Sequence, residues 1–244
     1  MTGTFDLVLV AVSYAISVFG SYTGLVLAAQ ITDQRNNMNR LWLVGAAVAL
    51  GGGAIWSMHF IGMLAYKLPL PVAYDITLTM TSMLVAILFT GIGVFLVIRQ
   101  QSMHFGRLVG AGVIMGLGVA SMHYTGMAAM RVSAHQHHDP LIVAVSVAIA
   151  IVASIAALWI AFTMRQTWQK VISAFVMGLA VCGMHYTAML GMSFESSTET
   201  KVIITSSAIL VNDLAVYIAV VTVSILSILL VAVFNSGLGE EEAA

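Results

Sequence analysis

Three decapeptides repeat a Met-His pair inside apolar surroundings: SMHFIGMLAY at 57–66, SMHYTGMAAM at 121–130 and GMHYTAMLGM at 183–192. Their histidines, His59, His123 and His185, are 64 and 62 residues apart, and each is followed four residues on by Met63, Met127 or Met189. Residues four apart share a helix face, so each copy offers an imidazole and a thioether to one neighbour. Met58, Met122 and Met184 directly precede the histidines and point about 100° away, toward an adjacent helix. Neutral imidazole with uncharged thioether is a donor set for copper, Cu(I) above all, because soft sulfur selects it and no carboxylate is needed in a low-dielectric site. Zinc more often recruits thiolate or carboxylate. A single His or Met in apolar sequence is ordinarily a packing or hydrogen-bonding group. Three copies with one His-to-Met offset argue for a shared metal centre, since ionisable residues inside a membrane are costly.

The elements that carry these residues are membrane spans. Of 244 residues, 60% are hydrophobic and 8% charged, and the mean hydropathy is +1.01. That leaves too little polar surface to cover a water-soluble globule. Apolar runs long enough to cross about 30 Å of hydrocarbon lie at 6–29, 41–66, 76–98, 106–130, 140–163, 169–192 and 206–234. Polar, charged or proline-bearing stretches separate them: TDQRNNMNR at 32–40, KLPLP at 67–71, RQQSMHFGR at 99–107 and HQHHDP at 135–140. The fold expected is an all-α integral membrane protein of seven transmembrane helices, built as three helix-pair repeats plus a seventh helix. The N-terminus has no basic region of the kind a signal peptide needs, so the first run is expected to remain as a span.

Lys and Arg on alternate loops set the expected orientation. Arg35, Arg40, Arg99, Arg107, Arg165 and Lys170 fall on one side, and Lys67, Arg131 and Lys201 on the other. The N-terminus is therefore expected outside and the C-terminus in the cytoplasm. Each motif His then lies about seven residues, or ~10 Å, inside the outer end of an even-numbered helix. An axis along the membrane normal would bring the three together at one depth. Residues 1–235 are read as the membrane domain and 236–244 as a cytoplasmic tail or linker.

Small residues flank each motif: Gly62, Gly126 and Ala188 after the His, Gly52, Gly116 and Gly178 before it. All permit close helix approach. Asp213, beside Asn212 in the seventh run, is a membrane-embedded carboxylate that needs a partner, and orienting a ligand His through its second ring nitrogen is the natural role. His135, His137, His138 and Asp139 form a polar outer loop that could deliver metal, although a solvated loop is the simpler account. Cys182 is the single cysteine, so no intrachain disulfide exists. The net charge of −1 and the lack of a basic stripe exclude an electrostatic footprint for nucleic acid.

The quartets MHYT at 122–125 and 184–187, with MHFI at 58–61, resemble the three signature motifs of the MHYT domain, a bacterial seven-helix membrane sensor. The resemblance spans essentially the whole chain. It implies copper held by the motif Met and His residues near the outer face of the bacterial inner membrane, with oxygen, carbon monoxide or nitric oxide as the diatomic signal. It also implies a cytoplasmic output domain on the same chain, of the diguanylate cyclase or cyclic-di-GMP phosphodiesterase kind. The chain ending in GLGEEEAA is read as a sensor fragment without that enzyme, and an oligomer is open. Phe60 and Ile61 depart from the pattern. Tyr124, Thr125, Tyr186 and Thr187 are therefore read as supporting or packing groups rather than as ligands needed threefold. A haem protein, with axial His and Met, and a copper or small-molecule transporter are the competing readings. A retinal protein lacks its Schiff-base Lys in the seventh run.

Overall fold

A computed structural model of the chain describes residues 3–31, 38–98, 104–164, 166–196 and 208–241, with the backbone alone at 196, 208–213 and 235–241. Among the described residues seven helices are long and apolar enough to cross a membrane. They are α1 Leu7–Ala28, α2 Arg40–Ala65, α3 Ile76–Ile98, α4 Phe105–Ala128, α5 Pro140–Thr163 and α6 Thr167–Leu190, with α7 Val211–Glu241. The seventh helix thus continues past residue 235, where the sequence suggested a tail.

Side chains mark where several helices start. Asp6 accepts from the Val8 and Leu9 amides at 3.0 and 3.3 Å. Asp139 does the same for Leu141 and Ile142 at 2.8 and 3.2 Å, ahead of Pro140 in the first turn. Gln166 and Gln169 close a capping box on α6. Each device satisfies amides that a helix start leaves without carbonyl partners.

Helices α1 to α6 pack in sequence order and α6 closes back on α1, while α7 lies outside this ring against α1 and α2. Helix α2 is the most enclosed span, 72% buried over its apolar window against 50% for α4 and 44% for α6. Its middle, Val48–Trp56, is a π-helix.

Among the described residues seven short strands gather at one end of the bundle, a feature the apolar runs did not announce. They are β1 Thr4–Phe5, β2 Tyr66–Lys67, β3 Val72–Asp75, β4 Met130–Val132, β5 Ala134–His138, β6 Met192–Ser196 and β7 Ala208–Leu210. Strand β1 pairs with β2, β3 with both β4 and β7, and β5 with β6, all antiparallel. These pairs satisfy the backbone where the chain leaves the helices. Arg131 donates to Asp75 at 2.9 Å across the β3–β4 pair, and this bond holds the Asp75 carboxyl below its ordinary range. Lys67 and Arg131 lie at the strand-capped end, and Arg40, Arg107 and Lys170 at the other; Arg35, Arg99, Arg165 and Lys201 lie outside the described residues.

Candidate metal centre

The even-numbered helices α2, α4 and α6 run toward the strand cap and carry one motif each. His59, His123 and His185 are 1%, 0% and 0% exposed. Their Nδ1 atoms face one another: His59 to His185 at 3.1 Å, His59 to His123 at 3.1 Å and His123 to His185 at 3.4 Å. The centre of that triangle lies about 1.9 Å from each corner, close to the ~2.0 Å bond a metal makes to imidazole nitrogen. Three lone pairs turned inward repel one another unless a cation or shared protons lie between them. The donor geometry therefore fits a metal ion.

The other ring nitrogens explain the glycines. No Nε2 of the three has a hydrogen-bond partner among the described residues. A Cβ on Gly62 would stand 2.4 Å from His185 Nε2, and one on Gly126 would stand 2.3 Å from His59 Nε2. Each glycine three residues after a motif His thus makes room for the imidazole of another repeat.

All six candidate methionines are enclosed. Met58, Met122 and Met184 are 0%, 0% and 2% exposed, and Met63, Met127 and Met189 are 2%, 1% and 1%. The thioethers are thus withdrawn from solvent along with the imidazoles they neighbour in sequence, and no carboxylate joins the described cluster.

In the second and third copies the tyrosine after the His anchors its helix to an odd-numbered neighbour. The Tyr124 hydroxyl meets Ser146 Oγ of α5 at 2.7 Å, and the Tyr186 hydroxyl meets Ser13 Oγ of α1 at 2.9 Å. In the first copy Phe60 has no hydroxyl, and Ser82 of α3 instead accepts from Trp56 Nε1 at 3.0 Å. The substitution is thereby compensated from the turn below, a partnership that no motif spacing signals.

Other expected residues are placed as follows. Gly116 approaches α5, where a Cβ would be 2.5 Å from Ile151 Cα, and Gly178 approaches α1, with Val18 Cγ2 at 2.8 Å. In α2 it is Gly51 that fills this role, 2.6 Å from Ala86 O, while Gly52 has only ordinary contacts with Ile87 from 3.5 Å. The π-helix holds one residue more than an α-helix over the same rise, which slips the register by one. Asn212 and Asp213 stand in the first turn of α7, but their side chains lie outside the described residues. The α7 group that meets a motif is Thr222, whose Oγ1 lies 2.6 Å from Ser57 Oγ. Asp213 precedes Thr222 by nine residues, about 13 Å nearer the cap along the helix. His135 and His137 are exposed on one face of β5. The half-buried His138 turns inward onto Tyr124, with ring centroids 5.9 Å apart, and burial lowers its basicity.

A multi-pass membrane protein with one buried three-histidine centre, related by pseudo-threefold repetition, is the class that this geometry defines. The chain belongs to the MHYT family, described as a bacterial signalling protein N-terminal repeat, whose model matches residues 52–111, 116–174 and 178–240. These repeats pair each even-numbered helix with the one that follows it. In space, though, α1 takes the place beside α6 that the third repeat would give to α7. The chain is 39% identical, over 98% of its length, to the bifunctional diguanylate cyclase/cyclic di-GMP phosphodiesterase MucR of Pseudomonas aeruginosa. It is 33% identical over 79% of its length to the signaling protein YkoW of Bacillus subtilis, and 33% identical over 84% to the cyclic di-GMP phosphodiesterase NbdA of Pseudomonas aeruginosa. It spans 35%, 24% and 27% of those three proteins. No solved structure matches the chain.

Proposed function

We propose that this membrane signalling domain holds copper on His59, His123 and His185, and that it reports a diatomic gas or the copper redox state to a cytoplasmic output module. The triangle of inward Nδ1 atoms carries the reading. Thioethers of the buried methionines complete a soft, uncharged donor set that favours Cu(I). A three-histidine zinc site would keep a water in its fourth position, whereas six buried methionines flank these histidines in the sequence. Haem takes axial ligands on opposite faces of a flat macrocycle, and nitrogens 3.1–3.4 Å apart are too close for one to pass between them.

Bound copper supplies a soft, redox-active centre. The chain's own residues supply the rest: Gly62 and Gly126 make room for the rings, and the Tyr–Ser and Trp–Ser bonds hold each motif helix at one depth. Basic residues on alternate loops put the strand cap outside a bacterial inner membrane and the end of α7 in the cytoplasm. Helix α7 is the conductor in this reading, because it alone lies outside the ring and meets the motif helix through Ser57 and Thr222. A displacement of His59 would bias two positions of α7. The output is read as cyclic-di-GMP turnover, in keeping with the names that MucR and NbdA carry.

Metal analysis of protein purified without chelator tests the centre. We expect copper in a fixed ratio to protein, and none in His123→Ala/His185→Ala, since one remaining imidazole cannot hold the ion. Copper retained by that variant, or zinc in its place in the parent, overturns the assignment.

A further inference from the structure

Directly beneath the three histidines, on the side away from the cap, lies a cavity of about 30 Å³. Ile55, Val119 and Val181 line its upper part. Each stands four residues before a motif His, so the histidine centre is one helical turn above. Met184, adjacent to His185, also reaches the cavity. The lower part repeats the threefold pattern with Leu50, Met115 and Met177, and the one-residue slip of the π-helix brings Leu50 level with the two methionines.

One polar group of the lining is without a partner among the described residues. Ser21 Oγ is fully buried, lines the cavity and has no hydrogen-bond partner among the described residues. A cavity this size has room for roughly two water-sized spheres, yet a buried water requires two to four polar partners. Ser21 and Ser154 are the hydroxyls the lining offers.

The geometry points to a binding site for an uncharged, lipid-soluble molecule of two heavy atoms, held by dispersion under the histidine centre, with the Ser21 hydroxyl as its one hydrogen-bond donor. This deepens the sensor reading above and rests on it for the role of the ligand, although not for its binding. Such a molecule dissolves in the hydrocarbon around the helices, so it needs no aqueous entrance. Met184 and the aliphatic ring at 55, 119 and 181 bring it to the underside of the imidazoles.

The chain has 16 methionines, and labelling their ε-methyl groups with carbon-13 provides the test. Metal-free protein in lipid nanodiscs is exposed to dioxygen, whose paramagnetism broadens nearby methyl resonances. Met184 should broaden more than Met58, Met122 and Met189, which are also no more than 2% exposed, and Met115 and Met177 should broaden with it. Ala150→Leu, which fills the cavity from α5 and leaves every motif residue in place, should abolish that excess; Ala157→Leu replaces it if the first variant misfolds. Equal broadening of both sets, or an excess that survives cavity filling, overturns the proposal. Copper content is measured on separate, metal-loaded protein. A dioxygen response without copper would keep the cavity site and sink the metal reading, and copper without the response would do the reverse.

Discussion

Helix α2 and its counterparts α4 and α6 carry the same motif by different means. All three present a buried His whose Nδ1 faces the other two. Below the His, α4 and α6 are regular helices that lean on α5 and α1 through Gly116 and Gly178, seven residues before the His. Helix α2 contains a π-helix and leans on α3 through Gly51, eight residues before it. Above the His, α4 and α6 use a tyrosine hydroxyl, and α2 uses Phe60 with the Trp56 indole below. The comparison separates what is needed threefold from what is needed only once per interface. The imidazoles and their methionines recur three times, and the glycine that makes room for a ring recurs twice, at Gly62 and Gly126. The anchor to the neighbouring serine differs, a tyrosine hydroxyl in two copies and the Trp56 indole in the first.

The largest expected break comes from the room around the rings. Gly126→Ala or Gly62→Ala puts a methyl 2.3 or 2.4 Å from an imidazole nitrogen and should weaken metal affinity by about 10–100-fold, the usual effect of disturbing a ligand's support. Ala188→Gly, at the matching position of α6, should leave affinity unchanged and cost stability by about 1 kcal/mol at most. A competition titration against a chelator of known affinity distinguishes the three.

Register comes next. Deleting Gly52 should turn the π-helix into an α-helix and bring Gly51 to seven residues before the His, as in α4 and α6. That variant should keep its metal and its fold. Deleting Gly116 instead rotates everything before it by about 100° relative to the motif and should lose both. Metal content and thermal unfolding followed by circular dichroism read the outcome, and equal damage from both deletions would break the comparison.

The smallest effects concern the aromatic anchors. Phe60→Tyr adds a hydroxyl at a fully buried position whose serine is already engaged by Trp56, and an unpaired buried group costs about 1–3 kcal/mol. Tyr124→Phe leaves Ser146 still donating to the Val143 carbonyl at 2.8 Å and should cost about 0.5–1.5 kcal/mol. Thermal stability of the two variants in one lipid checks the order.

Much of this molecule is legible in one dimension. Hydrocarbon thickness sets span length, so apolar runs alone determine that there are seven helices, although the seventh starts and ends later than its run. The near-equal spacing of His59, His123 and His185, 64 and 62 residues, within those runs points to one shared depth, and the buried three-histidine cluster agrees with it. Tertiary structure decided what depends on rotation about helix axes and on register between helices, which apolar patterning in a membrane leaves open because lipid and protein interior are equally greasy. That is why the inward nitrogen proved to be Nδ1, why Gly62 and Gly126 serve the rings of other repeats, and why Thr222 is the α7 residue that meets Ser57. The slip that promotes Gly51 over Gly52, the Trp56–Ser82 bond and the strand cap belong to the same class. Each is a contact between segments distant in sequence, fixed only when seven helices pack at once.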